Sequence, residues 1–203
     1  MNYGQVRDQV LKLLDQYSVA GARVEPSYNN QQDYLNRIPG LVNDAMMEIA
    51  TGAKKIPAVL HLGSLPREEE GEKVRYELPG DFYQLRTGSI VRDQKGEIVH
   101  TNCYMLQGKR CLILPKEEDG NYALEYDRYP MLLGERPQDS DELDNAPETH
   151  YAIPFYVAAF LVDRDDPYLC ALFHNKYADK LAGMGAGLTA EVRPVADSYQ
   201  FFQ

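Results

Sequence analysis

Near the start of the chain, Val6, Val10, Leu13, Leu14 and Tyr17 recur at helical spacing, which predicts an amphipathic helix over about 3–18. Gly21 and Pro26 interrupt it. A second apolar stripe, Tyr34, Ile38, Leu41, Val42, Ala45, Met46 and Ile49, predicts a longer helix over about 31–51. Pro39 lies inside that stripe. A proline there removes one backbone hydrogen bond and crowds the preceding turn, so a kink or a restart is expected, with Gly52 closing the helix.

From Ile56 the period changes. Short apolar runs, "IPAVLHL", "KVRYEL", "GSIVR", "EIVHT", "CYMLQ", "RCLILP" and "NYALEYDRYP", alternate with turn residues and are rich in β-branched and aromatic side chains. They read as the strands of a small antiparallel sheet, with "QGKR" and "RDQKGE" as hairpin turns. "LPGDFYQL" reads as a stop followed by one helical turn. After Pro130 the stretch "GERPQDSDELDNAPETH" is too rich in Pro, Asp and Asn to form an element.

Helical spacing then returns twice. Tyr151, Phe155, Ala158, Ala159 and Val162 predict a helix over about 148–162, and Leu169, Leu172, Phe173, Tyr177 and Leu181 predict another over about 167–182. Asp166 before Pro167 is a helix start, and Gly183 a stop. The glycine-rich remainder, "GMGAGLTAEVRPVADSYQFFQ", has no helical period and reads as an extended arm. The expected fold class is therefore α+β: a helical bundle formed by the N- and C-terminal helices, a mainly antiparallel β insertion over about 56–130, and an extended C-terminal arm. One domain would span 1–184 and the arm 185–203.

Composition narrows the chemistry. A chain of 203 residues with 44% hydrophobic and 26% charged residues suffices for one globular core. No apolar run reaches the length of a membrane-spanning helix, and "MNYGQVRDQV" lacks the features of a signal peptide. The formal net charge of −10 disfavours broad gripping of nucleic-acid phosphate. Three cysteines, Cys103, Cys111 and Cys170, form no CxxC pair and fit a reducing compartment.

Cys170 and His174, four residues apart on a helix, could offer two ligands to zinc, but His61, His100 and His150 stand singly in other segments. Cys170 within "YLCALF" reads as a packed thiol rather than a nucleophile. The carboxylate runs "REEEGEK" and "DSDELD" read as solvated loops, since paired-carboxylate catalysis needs one acid desolvated and the other kept ionised. Phosphate-binding, dinucleotide-binding, nucleophile-elbow and metalloprotease motifs are absent from the string. The expectation is a non-enzyme without cofactor or metal. Tyrosine supplies 15 of 21 aromatic residues and suits either protein interfaces or wet-edged elements.

The stretches "DYLNRIPGLVNDAMMEIA", "YELPGDFYQL", "YDRYP" and "IPFYVAAFLVDRDDPYLCALFHNKYADKL" occur in an order that resembles the head-to-tail connector proteins of tailed bacteriophages, the adaptor or head-completion family, over about residues 3–182. The resemblance implies a virion protein of the neck, assembled in the host cytoplasm as a homo-oligomeric ring, dodecameric in that family. Such a ring docks under the portal, extends the DNA channel, and carries tail, collar or nozzle proteins. Genomic DNA would pass through it without sequence-specific binding, and no membrane is involved. A tail-terminator or collar component and a small cytoplasmic enzyme are the alternatives.

Two sets of residues follow as candidates. In the arm, Val192, Val195, Tyr199, Phe201 and Phe202 are apolar groups that need a partner: the arm either folds back onto its own subunit or orders against the portal or a neighbouring subunit. In the acidic runs, Glu68, Glu69, Glu70 and Glu72, with Asp139, Asp141, Glu142 and Asp144, are candidates for a channel wall that DNA does not adhere to.

Overall fold

The computed structural model describes residues 1–14, 30–94, 97–100, 104–108, 110–116 and 121–185. Helix α1 spans Tyr3–Leu13. Asn2 caps it by accepting from the Gln5 amide at 2.9 Å, while Gln5 Oε1 accepts from the Asn2 amide at 3.1 Å, so two orphan donors are satisfied reciprocally. Helix α2 spans Asn30–Glu48, running through Pro39 as one helix rather than restarting there. Its last turn widens into a π-helical segment, Ile49–Ala53, where the Lys54 amide reaches back to the Ile49 carbonyl at 2.9 Å.

Helix α3, Ile153–Val162, follows a 3₁₀ turn over Pro147–Tyr151. The sequence suggested one apolar face, but eight of its ten residues are buried. Helices α1 and α2 pack against it, as does α4, Pro167–Gly185. It is hydrophobic all round because it is covered all round. Val6, Val10, Ile38, Met46, Ile153 and Val157 meet in this helical core.

Among the described residues, eight strands lie between the helix pairs: β1 (Ile56–His61), β2 (Arg67–Glu70), β3 (Lys73–Glu77), β4 (Phe82–Gln94), β5 (Glu97–His100), β6 (Met105–Gln107), β7 (Cys111–Pro115) and β8 (Asn121–Arg128). They form two antiparallel sheets, ordered β1-β8-β4-β5 and β2-β3-β7-β6. Val74, Tyr76, Leu112 and Leu114 of one sheet and Leu124 and Tyr126 of the other share a second core, joined by Leu62 from the 3₁₀ turn after β1. The expected class, a helical bundle carrying one small, mainly antiparallel sheet as an insertion, is corrected accordingly, and its expected extended arm beyond 185 lies outside the described residues. The described chain is α+β, with four α-helices and two sheets that enclose a core of their own.

Two stretches also differ from the elements expected of them. "REEE" is a strand, not a loop: an edge strand needs partners on one side only, so a wholly charged sequence can occupy it. "DFYQL" enters the long strand β4 without a helical turn. Gly71 (φ 60°) turns β2 into β3, and Gly108 (φ 62°) turns β6 into β7, both in the left-handed region that glycine adopts without strain.

At the C-terminal end, Asp166 Oδ1 accepts from the Tyr168 and Leu169 amides, each at 3.0 Å, and so caps α4. The helix passes Gly183 and continues to Gly185. Residues 15–18 of the first expected helix, and the arm beyond 185, lie outside the described residues.

Candidate functional site

The two acidic runs are built differently. Residues 139–144 do not form a free loop. The Tyr3 amide donates to the Asp141 carbonyl at 2.8 Å and the Gly4 amide to the Asp139 carbonyl at 3.1 Å, so the segment runs along the start of α1. Asn2 and Glu142 complete the contact as an isolated β-bridge. The Arg7 guanidinium clamps the Asp139 carboxylate and also pairs with Asp8 at 2.9 Å. Burial alone would lower the Arg7 pKa, but the hydrogen bonds and charges of Asp139 and Asp8 outweigh it and raise it.

At the other end of the run, the Asp144 carboxylate accepts from Arg128 Nη1 at 2.5 Å and Nη2 at 2.7 Å. It also accepts from the Met131 amide at 2.7 Å. This fork holds Asp144 below the usual carboxylate range, chiefly through the Arg128 hydrogen bonds. Asp141 is half-buried and caps the Gln138 amide at 2.9 Å. The expectation that "DSDELD" is a solvated loop is therefore corrected in part: Asp139, Ser140 and Glu142 are exposed, but Asp139, Asp141 and Asp144 tie the connection to α1 and β8.

Glu68, Glu69 and Glu70 all lie exposed on β2, the edge of the second sheet, and Glu72 is exposed in the turn that follows. Glu69 pairs with Lys116 at 2.7 Å and Arg67 at 2.9 Å, and the Lys116 contact, foremost, lowers its pKa. The opposite edge of this sheet is β6, where Met105 is 51% and Leu106 37% exposed.

Cys170 is half-buried against Ala158, Ala159, Val162 and Phe173, which corrects its reading as a fully packed thiol, and the His174 ring lies edge-on to Phe160 at 5.2 Å. Cys111 is buried and accepts from Arg75 Nη2 at 3.2 Å. His150 is buried beside the Asn145 carbonyl at 3.0 Å, and burial, foremost, lowers its pKa. Among the described residues no group of three or more His, Cys, Asp or Glu could hold a metal ion. Cys103 and the arm candidates Val192, Val195, Tyr199, Phe201 and Phe202 lie outside the described residues.

The sequence pattern did not single out the polar cluster inside the helical half. The Tyr177 hydroxyl donates to Glu48 Oε1 at 3.0 Å, and the Tyr156 and Tyr177 rings meet at 5.2 Å. Burial, followed by the Glu48 charge, pushes the Tyr156 phenol up to about 12 and raises that of Tyr177 as well. Helical spacing placed Tyr177 on the apolar stripe of α4, but its partner lies 129 residues earlier in the chain.

The tyrosines divide between core and surface. Tyr3, Tyr76, Tyr122, Tyr126, Tyr156 and Tyr177 are buried, whereas Tyr151 and Tyr168 are 60% and 78% exposed. No described helix is long and apolar enough to cross a membrane. No protein-family model matches the chain, and no curated protein matches it.

Proposed function

We propose that the chain is a structural virion protein, the subunit of a homo-oligomeric head-to-tail adaptor ring that docks under a portal and extends the DNA channel toward the tail. The observation that supports this reading most is the exposure of large apolar side chains at three separate places. Met131 (76% exposed) adjoins Leu132 in the connection after β8, Tyr168 and Leu172 stand one helical turn apart on α4, and Met105 and Leu106 are exposed on opposite faces of the edge strand β6. Single exposed apolar residues are ordinary, whereas exposed apolar groups at several places suit a subunit that meets several partners.

Of the acidic segments, the β2 hairpin fits the channel wall better. Its four carboxylates are all exposed, with only Glu69 paired, to Lys116 and Arg67, among the described residues, whereas in 139–144 Asp141 and Asp144 are half-buried and Arg7 and Arg128 hold Asp139 and Asp144. Like charge keeps DNA from adhering within a Debye length of about 8–10 Å. The apolar residues of 186–203 are the proposed anchors in the portal or a neighbouring subunit.

The test adds purified protein to portal-bearing capsids from the same genome and counts neck occupancy by electron microscopy. Full-length chain should fill the neck. Chain lacking 186–203 should melt at the same temperature yet fail to attach. Failure of the full-length chain to attach would overturn the reading, and attachment of the truncated chain would move the portal contact to the helical half.

A further inference from the structure

We infer that the subunit pairs with a second copy of itself edge to edge, the β2 strand of one copy adding antiparallel to the β6 strand of the next. The inference deepens the ring reading by naming its lateral contact, and rests on that reading only for closure of the ring.

Strand polarity comes first. The four strands β2-β3-β7-β6 alternate in direction at every step. An even number of antiparallel strands leaves the two edges running in opposite directions. When a second copy is set beside the first by a rotation about an axis along the strands, β6 and the next β2 are therefore antiparallel, and the sheet continues without a break. Among the described residues neither strand has a partner on its outer side.

Register comes next. Glu68 lies opposite Arg75, Arg75 opposite Ile113, and Ile113 opposite Met105. The adjoining row runs Arg67, Tyr76, Leu112, Leu106. Each row thus begins on β2 and ends on β6, and unstaggered copies bring Met105 against Glu68 and Leu106 against Arg67. Tyr76 and Leu112 are buried, so Leu106 and Arg67 share the core face, while Met105 and Glu68 share the other. Any stagger must be even, because a shift of one residue would exchange the faces.

Charge selects this pairing over the symmetric ones. Two β2 edges together would set Glu68, Glu69 and Glu70 against the same residues of the partner, and like charges directly opposite are unfavourable. The β6 edge carries Met105, Leu106 and Gln107, without charge, and its hairpin turn contributes the exposed Arg110. An acidic edge therefore meets an uncharged edge flanked by a cation. The contact is heterologous, the kind that generates rings or filaments rather than closed dimers.

Cross-linking with a short bis-maleimide tests it on the full chain, both free at high concentration and on portal-bearing capsids. Directly opposed side chains across such a pair have Cβ atoms about 5 Å apart. The parent chain carries Cys103→Ser, because Cys103 stands two residues from Met105 in the chain, and it sets the background from Cys111 and Cys170. Met105→Cys alone and Glu68→Cys alone should stay at background, and their mixture should give a dimer several-fold above it. The double variant should give a ladder of trimers and longer species, and Glu70→Cys in place of Glu68→Cys covers a stagger of two.

A dimer from Met105→Cys alone would show symmetric β6 pairing and overturn the inference, as would background yields throughout, the result if residues 186–203 of the same chain cover an edge. A ladder from chain that fails to attach to capsids would leave the pairing standing and remove the neck reading. Attachment without a ladder would do the reverse.

Discussion

Replacing Tyr156 and Tyr177 with phenylalanine should flatten the loss of stability above pH 10. Both rings are buried, at 8% and 6% exposure, and both hydroxyls face the Glu48 carboxylate. In the unfolded chain each phenol ionises near pH 10. In the folded chain Tyr156 ionises at about 12, and Tyr177 is likewise raised. The folded state therefore holds these protons after the unfolded state has released them. Their contribution is complete below the unfolded value and is lost as pH rises through 10 toward the folded values.

Between pH 10 and 11 the unfolded phenol gains about 1 kcal/mol per tyrosine, while the folded phenol stays almost wholly protonated, so the pair accounts for about 2 kcal/mol. Urea unfolding at pH 8, 9, 10 and 11 measures this. The wild-type chain should lose about 2 kcal/mol more than Y156F/Y177F over the last interval, and Y177F alone about half of that difference. The double variant starts from lower stability because Glu48 has lost its donors, so the quantity to compare is the slope. Equal slopes for wild type and double variant above pH 10 would refute the reasoning.

Gly4→Ala should unseat the acidic segment from α1: an added Cβ would lie 2.9 Å from Asp139 Cβ and 3.0 Å from its carbonyl oxygen, which is backbone that must move. The expected cost is about 1–3 kcal/mol in thermal or urea unfolding, and unchanged stability would show that the segment is not fixed there. Asp144→Asn should cost about 1–2 kcal/mol at pH 7, allowing for solvent screening, through the weakened Arg128 fork. Because the folded Asp144 pKa is depressed, its contribution is present above the unfolded value near 4 and is lost as pH falls through the folded one. The gap between wild type and variant should therefore narrow as pH falls below about 4, and a gap that does not narrow with acid would place the effect in packing.

Local pattern was sufficient where one element meets one core. The stripe of α1, the cap at Asp166 and the glycine turn between β6 and β7 are each written within a few consecutive residues. Such signals depend on spacing and turn chemistry, which neighbours in the chain supply. Net charge and the acidic runs were equally legible, because composition needs no fold.

Tertiary structure decided the rest. Whether "REEE" is loop or strand depends on β3 offering it a free edge, a fact that its own four charged residues do not contain. Whether α3 buries one face or nearly its whole circumference depends on how many helices surround it. The acidic run 139–144 is a structural strap because Arg7 and Arg128, distant in sequence, come to meet it. The pairing of Glu48 with Tyr177 and the rows that join Glu68 to Met105 arise the same way: long-range partners are chosen by the packing of whole elements, and no local period encodes that choice.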